Sequence, residues 1–122
     1  PAFHFLDRRW NSVTHVERAE WKRTGRRAFR NEWVSCELGY GLIAERERYT
    51  LLDLADGWQH PTLVFHGCAD EVVPITDSLD FLRLAPPGDV ELRLLRDGDH
   101  RLTDYKDRIA AGVGELFART HV

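Results

Sequence analysis

The sequence predicts an α/β fold, with parallel strands and flanking helices, preceded by a mainly helical segment. Three observations carry this expectation. After residue 60 the pattern runs strand, helix, strand, helix, with crossovers long enough for parallel pairing. Each apolar run is bounded by glycine, proline or aspartate, the residues that stop strands. An acid, Asp70, and a histidine, His100, fall just beyond the two strand ends, where open parallel sheets bind ligands.

The elements follow in chain order. Thr14-His15-Val16-Glu17 reads as a capping box, opening a helix to about Thr24 that Gly25 stops. Phe29 to Cys36 has no helical stripe and reads as extended. Leu38 to Arg48 and Thr50 to Ala55 read as helical, ending at Gly57. Pro61-Thr62-Leu63-Val64-Phe65 is a buried strand halted at His66-Gly67. Pro74 and Thr76 begin a helix in which Leu79 and Leu82 keep helical spacing as far as Leu84. Pro86-Pro87-Gly88-Asp89 breaks it. Val90, Leu92 and Leu94 alternate with Glu91 and Arg93 in a half-buried or edge strand ending at Leu95. Asp97-Gly98-Asp99 is a turn. Thr103 is set to cap a last helix with Tyr105, Ile109, Val113 and Leu116 on one face.

Composition narrows the function. A chain of 122 residues with 43% hydrophobic content can build a core. A net charge of −3 argues against a nucleic-acid partner. No apolar run approaches a membrane span and no signal-peptide pattern opens the chain. Two cysteines, Cys36 and Cys68, do not make a disulfide framework, so a cytoplasmic location is expected. Charge is uneven: ten Lys/Arg stand against seven Asp/Glu in residues 1–49, and seven against thirteen in 50–122. A solvated basic face explains this. The sharper alternative is that Arg23, Arg26, Arg27 and Arg30 attract an anionic group such as the phosphates of an acyl carrier. Phe3, Phe5, Trp10, Trp21, Phe29 and Trp33 crowd the first part of the chain, either as its own packing or as the lining of an acyl pocket.

Two motifs dominate: His66-Gly67-Cys68-Ala69-Asp70-Glu71-Val72-Val73-Pro74, and later Gly98-Asp99-His100-Arg101-Leu102. At this spacing, residues 61 to 119 resemble the C-terminal part of an α/β-hydrolase in the esterase and thioesterase branch. The resemblance implies residues 1–57 as a cap-like segment and 58–122 as the last strand-helix units of the core. Pro1-Ala2-Phe3 resembles the segment leaving an earlier strand. It also implies Asp70 as triad acid, accepting the imidazole's hydrogen bond, and His100 as the general base. Glu71 is one residue late for the motif, and Asp99 adjoins the histidine in sequence, so its side chain is expected to point elsewhere. His66 reads as an anchor for the loop. Cys68 as a nucleophile, or His66, Cys68, Asp70 and His100 around zinc, are weaker alternatives. Gly39-Tyr40-Gly41 is too short for a dinucleotide fingerprint, and no cofactor or metal is expected.

The departure from the family pattern matters as much. The nucleophile elbow Gly-x-Ser-x-Gly is absent, because Ser12, Ser35 and Ser78 all lack the flanking glycines. The expectation is therefore the C-terminal portion of a longer serine hydrolase, whether a fragment, a truncated product or half of a split enzyme. It would cleave a small-molecule carboxylic ester or thioester through an acyl-enzyme once joined to the missing N-terminal half. Alone it would be inactive. The alternative is a non-catalytic binding or assembly module, with Thr62 to Phe65 or its neighbour as an unpaired strand seeking a partner.

Overall fold

A computed structural model describes residues 2–32 and 35–120. Trp33 and Val34, within the segment read as extended, lie outside the described residues, as do Pro1 and His121. The chain divides into two compact units, His4–Thr50, and Pro1–Phe3 together with Leu51–Val122. No helix among the described residues is long and apolar enough to cross a membrane.

The unit His4–Thr50 begins with α1 (Phe5–Asn11), which places Leu6 and Trp10 one turn apart against its core. In α2 (His15–Thr24) the capping box is complete: Thr14 Oγ1 accepts from the Glu17 N–H, and Glu17 Oε2 accepts from the Thr14 N–H at 2.8 Å. Gly25 closes it at φ 80°, the left-handed geometry that costs glycine nothing, with its N–H on the Trp21 carbonyl. The chain then enters an antiparallel hairpin, β1 (Arg26–Arg30) and β2 (Ser35–Gly39), in which Phe29 faces Cys36. Val13, Trp21, Phe29 and Ile43 form the core, and the Trp21 indole donates to the Leu38 carbonyl at 3.0 Å.

That bond bears on the helix expected over Leu38 to Arg48. Leu38 and Gly39 instead finish β2, since β1 needs a partner and Trp21 needs an acceptor; α3 is only Tyr40–Ala44, followed by a single tight turn at Arg46–Arg48. The basic residues are largely engaged here. Arg23 pairs with Glu20, Arg26 with Glu37 and Arg27 with Glu17, while Arg18 and Arg46 each lie over the Trp10 ring system, at 4.5 and 4.4 Å.

The second unit opens with α4 (Leu51–Asp56) and the strand β3 (Thr62–Gly67), continues through α5 (Ile75–Leu84) to β4 (Val90–Leu95), and ends with α6 (Lys106–Thr120). The strands are parallel, in a register running from Thr62 opposite Val90 to Gly67 opposite Leu95. Leu51 is buried with Val64 and Phe81, which ties α4 to the strands and puts the division of the chain before residue 51 rather than after 57. Phe3 stacks on Phe81 at 4.9 Å, and Trp58 meets that ring edge-on at 5.4 Å.

Alternation along β3 sorts its side chains to two faces. Val64 and His66 look toward α5; Leu63 and Phe65 look toward α6, whose Gly112 lies against both. A Cβ at Gly112 would come within 2.6 Å of the Phe65 ring. Tyr105, just before α6, and Ile109 and Leu116 within it lie on the inner side as expected, but Gly112 takes the place expected for Val113, which is 46% exposed. Thr103 does not cap α6. It begins a tight turn, Thr103–Tyr105, entered from Leu102 without a side-chain cap.

Candidate active site

The site is built where β3 and β4 end side by side. A Cβ on Gly67 would collide with the Gly98 carbonyl, so two glycines are what allow the loops after the strands to touch. The contact is stitched by the Cys68 N–H on the Leu95 carbonyl at 2.8 Å and the Ala69 N–H on the Gly98 carbonyl at 3.0 Å. Asp70 and His100, thirty residues apart in sequence, are thereby carried together.

Asp70 is held on both oxygens. Oδ1 accepts the N–H groups of Val72 and Val73 at 2.8 Å each, and Oδ2 faces His100 Nδ1 at 3.0 Å. Its side chain is 6% exposed, that of His100 48%. Burial pushes the Asp70 carboxyl up. The bonds from Val73, His100 and Val72 outweigh that push and hold it below the usual carboxylate range. An ionised carboxylate only accepts, so His100 Nδ1 carries a proton, and in the neutral imidazole Nε2 is the nitrogen with a lone pair for a proton donor.

Of the rival acids, Asp99 is turned to its own backbone. Its Oδ1 accepts from the Arg101 and Leu102 N–H groups at 3.0 and 2.8 Å, fixing the loop that presents His100. Leu102 sits at φ 53°, a left-handed conformation rare for a leucine, and its side chain packs at Gly98. Glu71 is exposed. His66 is 2% exposed, with Nδ1 2.6 Å from Ser78 Oγ and Nε2 2.9 Å from the Val73 carbonyl. Both ring nitrogens are thus occupied by protein groups, and among the described residues no three His, Cys, Asp or Glu side chains are grouped to hold a metal. Cys68 is a free, exposed thiol.

The three serines occupy other settings. Ser12 Oγ donates to the Arg9 carbonyl at the end of α1, Ser35 begins β2, and buried Ser78 is bonded to His66. A cleft of about 140 Å³ opens at the strand ends, lined by Asp70, His100, His66, Phe65, Val73 and Ala2 among others. The sequence placed Ala2 only in a segment resembling the exit from an earlier strand, and read Ser78 only as a serine without an elbow. The i, i+4 spacing of His66 and Asp70 was a visible hint that both serve one loop.

No protein-family model matches the chain, and no curated protein does. Solved structures do. The "putative hydrolase" from Agrobacterium vitis S4 is 26% identical, with a TM-score of 0.72 over 85% of this chain. Alpha/beta hydrolase domain-containing protein 10 from mouse is 22% identical, with a TM-score of 0.80 over 98%. The esterase domain of a Rhodothermus marinus protein is 24% identical, with a TM-score of 0.53 over 80%. This chain spans 41%, 50% and 44% of those three chains, about half their length or less.

Proposed function

We propose that this chain, which is related to the α/β-hydrolase superfamily and carries part of that fold, supplies the acid and base of a serine hydrolase acting on a carboxylic ester or thioester. The observation that carries the reading is the 3.0 Å approach of His100 Nδ1 to Asp70 Oδ2 at the mouth of a cleft. Asp70 fixes the imidazole tautomer and stabilises the imidazolium. His100 Nε2 takes the proton of a serine hydroxyl as that oxygen bonds to the acyl carbon, then returns it to the departing alcohol or thiol. Water, activated in the same way, releases the acid and frees the serine. The serine comes from outside this chain, since Ser78 faces His66 and neither Ser12 nor Ser35 stands on an elbow. The hydrolase name of the Agrobacterium vitis neighbour supports the reaction class.

The test is to express the coding sequence that includes this chain and label it with a fluorophosphonate probe. Labelling of one serine, lost in His100→Ala and reduced by orders of magnitude in Asp70→Asn, is the expected result. Labelling indifferent to both substitutions would sink the reading. The isolated chain should not turn over an activated ester, because binding and polarisation alone remain without the nucleophile; turnover abolished by His100→Ala would overturn that expectation.

A second reading rests on a different observation. Among the described residues β3 and β4 pair only with each other, so each keeps one open edge. Such edges recruit strands, and this favours an assembly module that pairs with a complementary half of the fold. A chain that stays monomeric and well packed by sedimentation, with or without that half, would count against it.

A further inference from the structure

Resting on the acid-base reading above, we propose that His66 is a positioning residue for the reaction, setting the Asp70 carboxylate for His100 through the backbone of Val73. His66 and Ser78 are buried polar groups that the proposed chemistry does not use. A buried imidazole is costly unless its nitrogens are satisfied, and here both are.

Proton accounting fixes the arrangement. A neutral imidazole has one N–H. The Val73 carbonyl can only accept, so Nε2 donates to it at 2.9 Å, and Nδ1 accepts the Ser78 hydroxyl at 2.6 Å. The Val73 carbonyl therefore selects the tautomer, and the Ser78 hydroxyl, which is able to donate or accept, turns its proton to Nδ1 and holds the ring in place. Val73 is gripped at both ends, its carbonyl by His66 and its N–H by Asp70 Oδ1. With the Val72 N–H on the same oxygen, the carboxylate cannot rotate freely, and Oδ2 is left facing His100. His66 Nε2 also lies 3.4 Å from that Oδ2. Pro74, which has no N–H, follows at the start of α5 and leaves the turn no other donor at that point. The result is a relay of position from β3 and α5 to the acid, through one residue of backbone.

The experiment uses this chain and NMR, with three variants. His66→Leu removes both bonds, His66→Gln keeps an N–H for Val73, and Ser78→Ala removes only the hydroxyl. The readouts are the carboxyl-carbon titration of Asp70 and the Nδ1 proton of His100. In His66→Leu the Asp70 titration is expected to move up toward the ordinary carboxylate range and the His100 proton signal to be lost, with dispersed amide signals retained. His66→Gln should restore both. A folded His66→Leu chain with Asp70 and His100 unchanged would overturn the proposal. Should His66→Leu fail to fold, Ser78→Ala decides: the same changes in smaller degree support it, and unchanged signals, or failure of both variants to fold, reject it. None of these readouts needs a nucleophile. Serine labelling indifferent to His100→Ala would reject the acid-base reading, while the Asp70 titration would still report on His66.

Discussion

Gly67→Ala is the substitution that tests most directly how the site is assembled. A Cβ at this position falls inside the contact radius of the Gly98 carbonyl and 2.7 Å from the Asp99 carbonyl. Both obstacles are backbone, so no side chain can swing aside. The loops must separate by about 1 Å to reach ordinary contact distances, and forced overpacking of this kind costs about 1–3 kcal/mol. Separation also weakens the Ala69 bond to the Gly98 carbonyl and the Cys68 bond to the Leu95 carbonyl, each contributing about 1 kcal/mol. Together the loss is about 3 kcal/mol, a large share of the roughly 5–15 kcal/mol that holds a typical domain. With a urea slope of about 1–3 kcal/mol per molar, the midpoint should fall by about 1–3 M. The assay should follow amide signals of β3 and β4 through a urea titration, because the substitution lies in one of two compact units and the readout must report on that unit. The same spectra report the His100 Nδ1 proton, which should weaken as the loops part. A midpoint within about 0.3 M of the parent, on the same slope scale, would refute the claim that the glycine pair sets the approach of acid and base.

Two further outcomes are expected. Gly114→Ala in α6 should stabilise the chain by about 0.5–1 kcal/mol in the same urea titration, since alanine is the better helix former and a Cβ there meets nothing within 4 Å; destabilisation would mean that the helix face is packed otherwise. Asp70, held below the ordinary carboxylate range, contributes stability that is present above that range and lost as pH falls through its folded value. Asp70→Asn should therefore flatten the acid limb of a plot of urea midpoint against pH, and parallel acid limbs in the two proteins would contradict the shift.

The second unit was legible because its signals are local and redundant. Pro61 and Gly67 bracket β3, Pro86 to Asp89 separate α5 from β4, and alternation at Val90, Leu92 and Leu94 marks a strand. Where the reading of this unit slipped, the cause was a contact distant in sequence. On α6 the exchange of Val113 for Gly112 depends on Gly112 meeting Phe65, since helical period alone accommodates either residue beside Ile109 and Leu116. Leu102 takes a left-handed turn that its residue type disfavours, so Thr103 could not be seen to enter a tight turn rather than cap the helix.

The unit His4–Thr50 shows the other side of this argument. Thr14, Glu17 and Gly25 bound α2 by caps alone, and those caps form as the residue types demand. β2 has no such marker. Leu38 sits beside Tyr40 and Ile43 in a run that a helix would accommodate, and β2 exists because β1 pairs with it and the Trp21 indole, seventeen residues earlier, takes the Leu38 carbonyl. α1 is hidden for a related reason: His4 offers no side-chain cap, so only the Leu6 and Trp10 spacing announces it. The candidate site lies between these cases. Asp70 and His100 are visible as residues, whereas the grip on Asp70 runs through the Val72 and Val73 backbone and a buried histidine. Hydrogen bonds made by backbone leave no trace in residue identity, so a motif can name the acid without disclosing what aims it.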